Sequence, residues 1–150
     1  MRGEIAIIYG VGTDIVDVER IYKAVQNPRF VARVFTRREA DYCRLRYSNG
    51  NGDSARGVAQ PKNDIRLGHA IHFAGCWAAK EAVVKSVGTG FVGFFPRDVE
   101  IARDESGKPY VVPLGTFRDK CDALRLGFHL SIAHSGTIAT ATCIAMEMIA

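Results

Sequence analysis

Hydrophobic and polar positions follow short, changing rhythms along this chain, and each change marks an element. Ile5-Ala6-Ile7-Ile8-Tyr9-Gly10-Val11-Gly12 is an apolar run of strand length that enters a glycine-flanked turn. Helical spacing takes over at Val18, Ile21 and Val25, with Asp17 placed to cap the first turn and Pro28 beyond the end. Phe30, Val31, Val34 and Phe35 predict a second short helix. Thr36 followed by Glu39 is a capping-box pattern that opens a third, through Ala40, Tyr42 and Leu45. Periodicity is then lost in a polar, Gly-rich stretch at about 48–68. A surface loop is expected there rather than a domain linker, because what precedes it is too short to enclose a core.

The longest helical pattern follows, from about Gly68 or His69 to Val87, with Ala74, Trp77, Ala78, Ala82 and Val84 as its apolar stripe. Beyond Gly88-Thr89-Gly90 the signals shorten. Asp98 to Ala102 alternates like a half-buried strand, Ser106-Gly107-Lys108-Pro109 turns into Tyr110-Val111-Val112, and Thr116 to Leu126 reads as a helix stopped by Gly127. His129–His134 and Thr137–Met146 predict two strands of a hairpin turning at Ser135-Gly136. Helices gather early and strands late, so the expected class is α+β: a single compact domain over residues 1–150, its long central helix packed on a mainly antiparallel sheet.

Composition narrows the classes further. A hydrophobic fraction of 47% and a charged fraction of 24% are those of a soluble globular chain. No apolar run approaches the ~20 residues that span a bilayer, and the N-terminus shows no signal-peptide pattern. Cys43, Cys76, Cys121 and Cys143 form no C-x-x-C pair, which predicts reduced thiols and a cytoplasmic setting. The net charge of +4 is concentrated between positions 20 and 46, where eight Lys and Arg, Arg20 and Lys23 among them, face only Glu39 and Asp41. Such a segment attracts an anionic partner: nucleic acid, an acidic protein or a polyphosphate.

Two segments carry candidate chemistry. Asp14 follows two glycines at an expected strand end, where backbone and ligand can approach closely; the bland alternative is a turn aspartate bonded to its own backbone. Trp77, Glu81 and Lys85, spaced i, i+4, i+8, share one helix face with Lys80 at its edge. As a solvated Glu–Lys pair they would contribute only ~0.2–0.5 kcal/mol. Beside a tryptophan the pair is partly desolvated, which costs free energy and calls for a function. A carboxylate from each segment with lysines alongside is what phosphate chemistry with Mg²⁺ requires. His134 ends an expected strand and is either a structural histidine or one that reaches the site.

Other patterns fail on context. Gly88-Thr89-Gly90-Phe91-Val92-Gly93 fits G-x-G-x-x-G, but it follows a helix where the dinucleotide fingerprint follows a strand. No P-loop is present. His69 and His72 have no cysteine or acid at a zinc spacing, and His134 with Cys76 or Cys143 has no hydrolase signature around it.

Gly10-Val11-Gly12-Thr13-Asp14-Ile15 with Arg20-Ile21, followed by Trp77-Ala78-Ala79-Lys80-Glu81-Ala82-Val83-Val84-Lys85, resembles the 4′-phosphopantetheinyl transferases, in their short holo-[acyl-carrier-protein] synthase branch. The likeness continues through Gly88-Thr89-Gly90, Asp98-Val99-Glu100-Ile101, Gly107-Lys108-Pro109-Tyr110 and Leu130-Ser131-Ile132-Ala133-His134. It implies that family's fold and transfer of 4′-phosphopantetheine from coenzyme A to a carrier-protein serine, releasing 3′,5′-ADP. Fatty acid or polyketide synthesis is the implied setting, and a homotrimer with active sites between subunits the implied assembly. Nucleic acid and membranes are not implied partners. On the matching positions, Asp14 and Glu81 are the Mg²⁺ ligands, and Asp14, Glu81 and Lys85 the catalytic group. Lys80, Lys85, Gly88, Pro109 and His134 fall at coenzyme A positions, and Arg20 and Lys23 on the carrier-docking surface. The general base is open between Glu81 and a water. Where the family often has an arginine before its aromatic, this chain has Cys76, so one phosphate contact is either absent or supplied from elsewhere, by Arg56, Lys62 or Arg66. The residues taken without the resemblance also admit a basic nucleic-acid-binding module or a Mg²⁺-dependent phosphohydrolase of nucleotides or coenzyme A.

Overall fold

The computed structural model describes residues 5–48 and 67–149. Its first strand, β1 (Ile5–Asp17), is longer than the apolar run predicts. Gly10 and Gly12 do not turn the chain; they let it run close to the long helix. A Cβ on Gly10 would collide with the Ser86 carbonyl, and one on Gly12 with the Ala82 carbonyl and the Ser86 amide. Asp17 ends the strand and caps α1 (Val18–Val25), its carboxylate accepting from the Arg20 amide at 3.1 Å. Asn27 caps α2 (Pro28–Val34), with Pro28 at the first position, where its missing N–H costs nothing. The Thr36–Glu39 box opens α3 (Arg37–Ser48) through bonds of 2.8 and 3.2 Å. The Gly-rich stretch lies outside the described residues, except Ser48, which ends α3, and Leu67 and Gly68, which open α4 (Leu67–Val87).

A 3₁₀ turn at Pro96–Asp98 leads into β2 (Val99–Arg103) and β3 (Pro109–Pro113), an antiparallel pair. Asp98, expected in the strand, belongs to the turn: its carboxylate accepts from the Phe95 amide at 2.9 Å. The following helix, α5 (Gly115–Ala123), stops short of Leu126 because Arg125 takes a left-handed conformation, φ 51°. The hairpin of β4 (Leu126–Ser135) and β5 (Ile138–Ile149) turns at Gly136-Thr137, one residue later than expected. Strand β5 is central in an antiparallel sheet of order β1-β5-β4.

Helix α4 lies against β1, β5 and β4 on one side and meets α1, α3 and β2 on others. Burial therefore extends well beyond the expected stripe, to Ala70, Phe73, Ala79 and Val83. A helix covered nearly all round is apolar nearly all round. Its many alanines keep it thin, so the sheet and the neighbouring helices approach closely. Trp77 is only half buried and stacks on Phe91 at 5.9 Å.

Candidate active site

Residues two apart on a strand share a face. Gly12, whose missing Cβ faces α4, therefore turns Asp14 toward the same helix. The Asp14 backbone is fixed from the far side as well: its carbonyl accepts from Thr140 Oγ1 at 2.9 Å. On α4, Lys85 reaches back to this point. Its Nζ donates to Asp14 Oδ1 at 2.7 Å and to the Thr13 carbonyl at 3.1 Å. Glu81 stands one turn before Lys85 and is half buried. Burial first, then the Asp14 carboxylate, push its carboxyl above the usual range; Lys85 and Arg20 pull it back. Asp14, Glu81 and Lys85 thus meet as the motifs predict, with Arg20 of α1 within electrostatic reach. Lys23 is exposed and paired with Glu19 at 2.9 Å.

The donor set suits a hard divalent cation. Two carboxylates converge without an ion pair for Glu81 among the described residues, and an ammonium already rests on Asp14. No group of three or more His, Cys, Asp or Glu could hold a metal among the described residues. Two carboxylates, with water and phosphate oxygens for the remaining positions, are a donor set that magnesium accepts.

A second concavity, about 320 Å³, brings together Pro109 and His134, both expected at the coenzyme A site. Tyr42, His72 and Arg103 join them in its lining. The His72 and His134 rings meet edge-on at 6.1 Å, and the Arg103 guanidinium lies 5.2 Å from the Tyr42 ring. Sequence reading missed these three; the alternation of β2 and the helical phase of His72 carry no sign of a shared pocket. Gly88, just past α4, adopts φ 80° and frees the chain to turn there.

The pocket and the carboxylates lie on opposite sides of α4. His72 and Glu81 are nine positions apart on one helix, which at ~100° per residue is half a turn beyond two full turns. Asp14 and His134 flank β5 in the same way, from β1 and β4. A single chain therefore separates the two groups of residues expected to meet one ligand.

Lys80 corrects an expectation. It is not at the edge of the Glu81 face but fully buried, paired with Glu39 at 2.8 Å and donating to the Pro96 and Val99 carbonyls at 3.0 and 2.6 Å. These acceptors use all three of its N–H groups, so it has none left for coenzyme A. Glu39, expected only as a cap, also accepts from the Ile101 amide at 2.8 Å and from Cys76 Sγ at 3.2 Å. Cys76 is therefore interior, and burial, then the Glu39 charge, hold its thiol well above the ordinary range. An arginine at that position could not take the cysteine's place without leaving this cluster. Arg56, Lys62 and Arg66 lie outside the described residues.

Residues 10–133 match the family model of the 4′-phosphopantetheinyl transferase superfamily. The chain belongs to that superfamily. It is 40% identical over 139 residues to a holo-[acyl-carrier-protein] synthase of Clostridium botulinum, covering 92% of this chain and 97% of the relative. An acyl carrier protein synthase of Plasmodium yoelii with ADP bound superposes with a TM-score of 0.72 at 29% identity, covering 95% and 97% of the two chains. A Bacillus anthracis holo-(acyl-carrier-protein) synthase in complex with coenzyme A (3′,5′-ADP) gives 0.65 at 27%, covering 97% and 99%. The fold, the phosphopantetheinyl transferase family and its holo-[acyl-carrier-protein] synthase branch are thus those the motifs imply. The matched stretch contains Asp14, Glu81, Lys85 and Pro109; His134 lies one position past its end.

Proposed function

We propose that this protein transfers 4′-phosphopantetheine from coenzyme A to a serine of an apo acyl carrier protein, releasing 3′,5′-ADP, with Mg²⁺, in support of fatty acid synthesis. The observation that carries this reading is the meeting of Asp14, Glu81 and Lys85 on one side of α4, with Lys85 Nζ at 2.7 Å from Asp14. Family membership supplies the reaction class, and the coenzyme A in the Bacillus anthracis relative supplies the donor.

The serine oxygen attacks the phosphorus that bears pantetheine. The P–O bond to the adenosine-side phosphate breaks, and 3′,5′-ADP leaves. Asp14 and Glu81 would hold Mg²⁺, which when bound withdraws charge from the pyrophosphate. Lys85 sits beside them to stabilise charge developing on the phosphate oxygens. The serine proton needs an acceptor, and Glu81 or a water held beside it is in place to take it. Arg20, near Glu81, and Lys23, one turn further along α1, would steer an acidic carrier to the same mouth.

The adenosine end is assigned to the pocket of Pro109 and His134. Because that pocket lies across α4 from Glu81, one ligand can touch both groups only if they come from different chains. The exposed apolar side chains of edge strand β1 (Ile7, Ile8, Tyr9, Val11 and Ile15) favour such an assembly. We assign it as the homotrimer that the resemblance implies. Cys43, Cys76, Cys121 and Cys143 are free thiols, which supports action in the reducing cytoplasm; no helix among the described residues is long and apolar enough to cross a membrane.

The test is to incubate the protein with coenzyme A, Mg²⁺ and an apo carrier protein and to follow the carrier's mass. Gain of one phosphopantetheine is the expected result. Coenzyme A cleaved without carrier modification would instead establish a hydrolase.

A further inference from the structure

We infer that Lys85 is a resident counter-ion of the candidate metal site: its ammonium rests on Asp14 Oδ1 and opposes a divalent ion on the same carboxylate. The inference rests on the reading of Asp14 and Glu81 as the metal ligands, and adds to it a competition within the chain.

Three observations carry it. The 2.7 Å contact between Lys85 Nζ and Asp14 Oδ1 is at the short end for a charge-assisted bond, and the 3.1 Å bond to the Thr13 carbonyl anchors the same ammonium a second time. Asp14 cannot swing away. Its side chain is only 15% exposed, its carbonyl is held by Thr140, and β1 is pressed against α4 where Gly12 has no Cβ. Lys85 is the partner that can move, because its side chain is 49% exposed on a flexible four-carbon stem. Among the described residues the ammonium pairs with Asp14 and not with Glu81, although Glu81 is one helical turn away.

An ammonium and a divalent cation on one carboxylate repel each other, and a partly buried site screens that repulsion less than open water does. In the free protein the lysine therefore weakens metal binding. Once a pyrophosphate arrives with the ion, the displaced ammonium has an anionic partner and the penalty is removed. One residue thus opposes the metal before the substrate binds and supports the phosphate afterwards.

The test is Mn²⁺ binding to the full chain without coenzyme A, read from the electron paramagnetic resonance of free Mn²⁺ and repeated by calorimetry with Mg²⁺. Lys85→Met and Lys85→Gln should bind about tenfold more tightly than wild type, ~1.4 kcal/mol. Lys85→Arg, which keeps the charge, should stay close to wild type. Binding that is lost in Asp14→Asn yet unchanged or weaker in both neutral Lys85 variants would overturn the counter-ion role and leave the metal site standing. Wild-type affinity in Asp14→Asn would instead overturn the metal-site reading beneath it.

Discussion

Replacing Lys80 by methionine separates a structural lysine from Lys85, the one proposed to act on the phosphate, within a single family motif. The substitution keeps most of the apolar stem and removes the ammonium. Glu39 would then be a carboxylate 2% exposed with no cation, still accepting from the Ile101 and Thr36 amides. The Pro96 and Val99 carbonyls would also lose their donor. Removing one partner of a buried pair costs about 3–5 kcal/mol. For a chain of this length, each kcal/mol moves the melting midpoint by roughly 2–4 °C, so Lys80→Met should melt about 6–20 °C lower.

Adding Glu39→Gln discriminates the cause. Glutamine carries no charge yet keeps a carbonyl oxygen for the Ile101 amide, so the double variant should recover at least about half of the loss. Midpoints come from circular dichroism, and kinetics are measured well below the lower midpoint. There, folded Lys80→Met should keep KM for coenzyme A within about threefold of wild type, since the lysine's three donors point into the interior. A variant that melts with wild type, or that stays folded with KM raised tenfold or more, would refute the structural assignment.

Glu81→Gln should abolish most transfer while raising the melting midpoint by about 1–3 °C at neutral pH, a small gain because the carboxylate is half exposed and screened. The sign follows from the raised carboxyl: its charge opposes folding above the folded pKa, and the gain should vanish as pH falls through that pKa toward the ordinary carboxylate value. A lower midpoint at neutral pH would contradict the argument, and wild-type turnover would remove Glu81 from catalysis. Arg20→Glu should raise KM for the carrier, more so at low salt, with KM for coenzyme A little changed; an unchanged carrier KM takes Arg20 off the docking surface. Gly12→Ala should cost about 2 kcal/mol or more, because its Cβ meets the Ala82 carbonyl and the Ser86 amide, both backbone. Wild-type stability in that variant, measured by urea unfolding, would show that β1 does not press on α4 as described.

The elements that the sequence displayed clearly are those held by local chemistry. The Asp17 cap, the Thr36–Glu39 box and the hairpin all depend on residues a few positions apart, and all formed within a residue or two of the expected place. What failed depended on distant partners. Gly10 and Gly12 suggested a turn because the Ser86 and Ala82 carbonyls that exclude a Cβ are some seventy positions away. Lys80 reads as the edge of the Glu81 face because its partners, Glu39, Pro96 and Val99, come from three separate segments. The carboxylate pair was legible because each half sits in a recognisable motif; the pocket of Tyr42, His72 and Arg103 was not, because no motif joins them.

Helix α4 shows why those distant partners had to be so divided. Around its axis, Glu81 and Lys85 face β1 and the carboxylate site, and His72 faces the opposite pocket. Lys80 is turned about 100° from Glu81, into the Glu39 cluster. A helix with one solvated face could not carry three polar arrangements without exposing its apolar ones. Here Ala78, Ala79 and Ala82 fill the intervals, each too small to hold neighbouring elements away. The buried Lys80–Glu39 pair fixes the rotation of α4 against α3 and β2, since a turn of one residue would leave its charges without partners. Because Glu81 is the next residue, the same rotation sets the angle at which its carboxylate meets Asp14. The structural lysine and the site's glutamate are adjacent for that reason: one fixes the phase of the helix, and the other uses it.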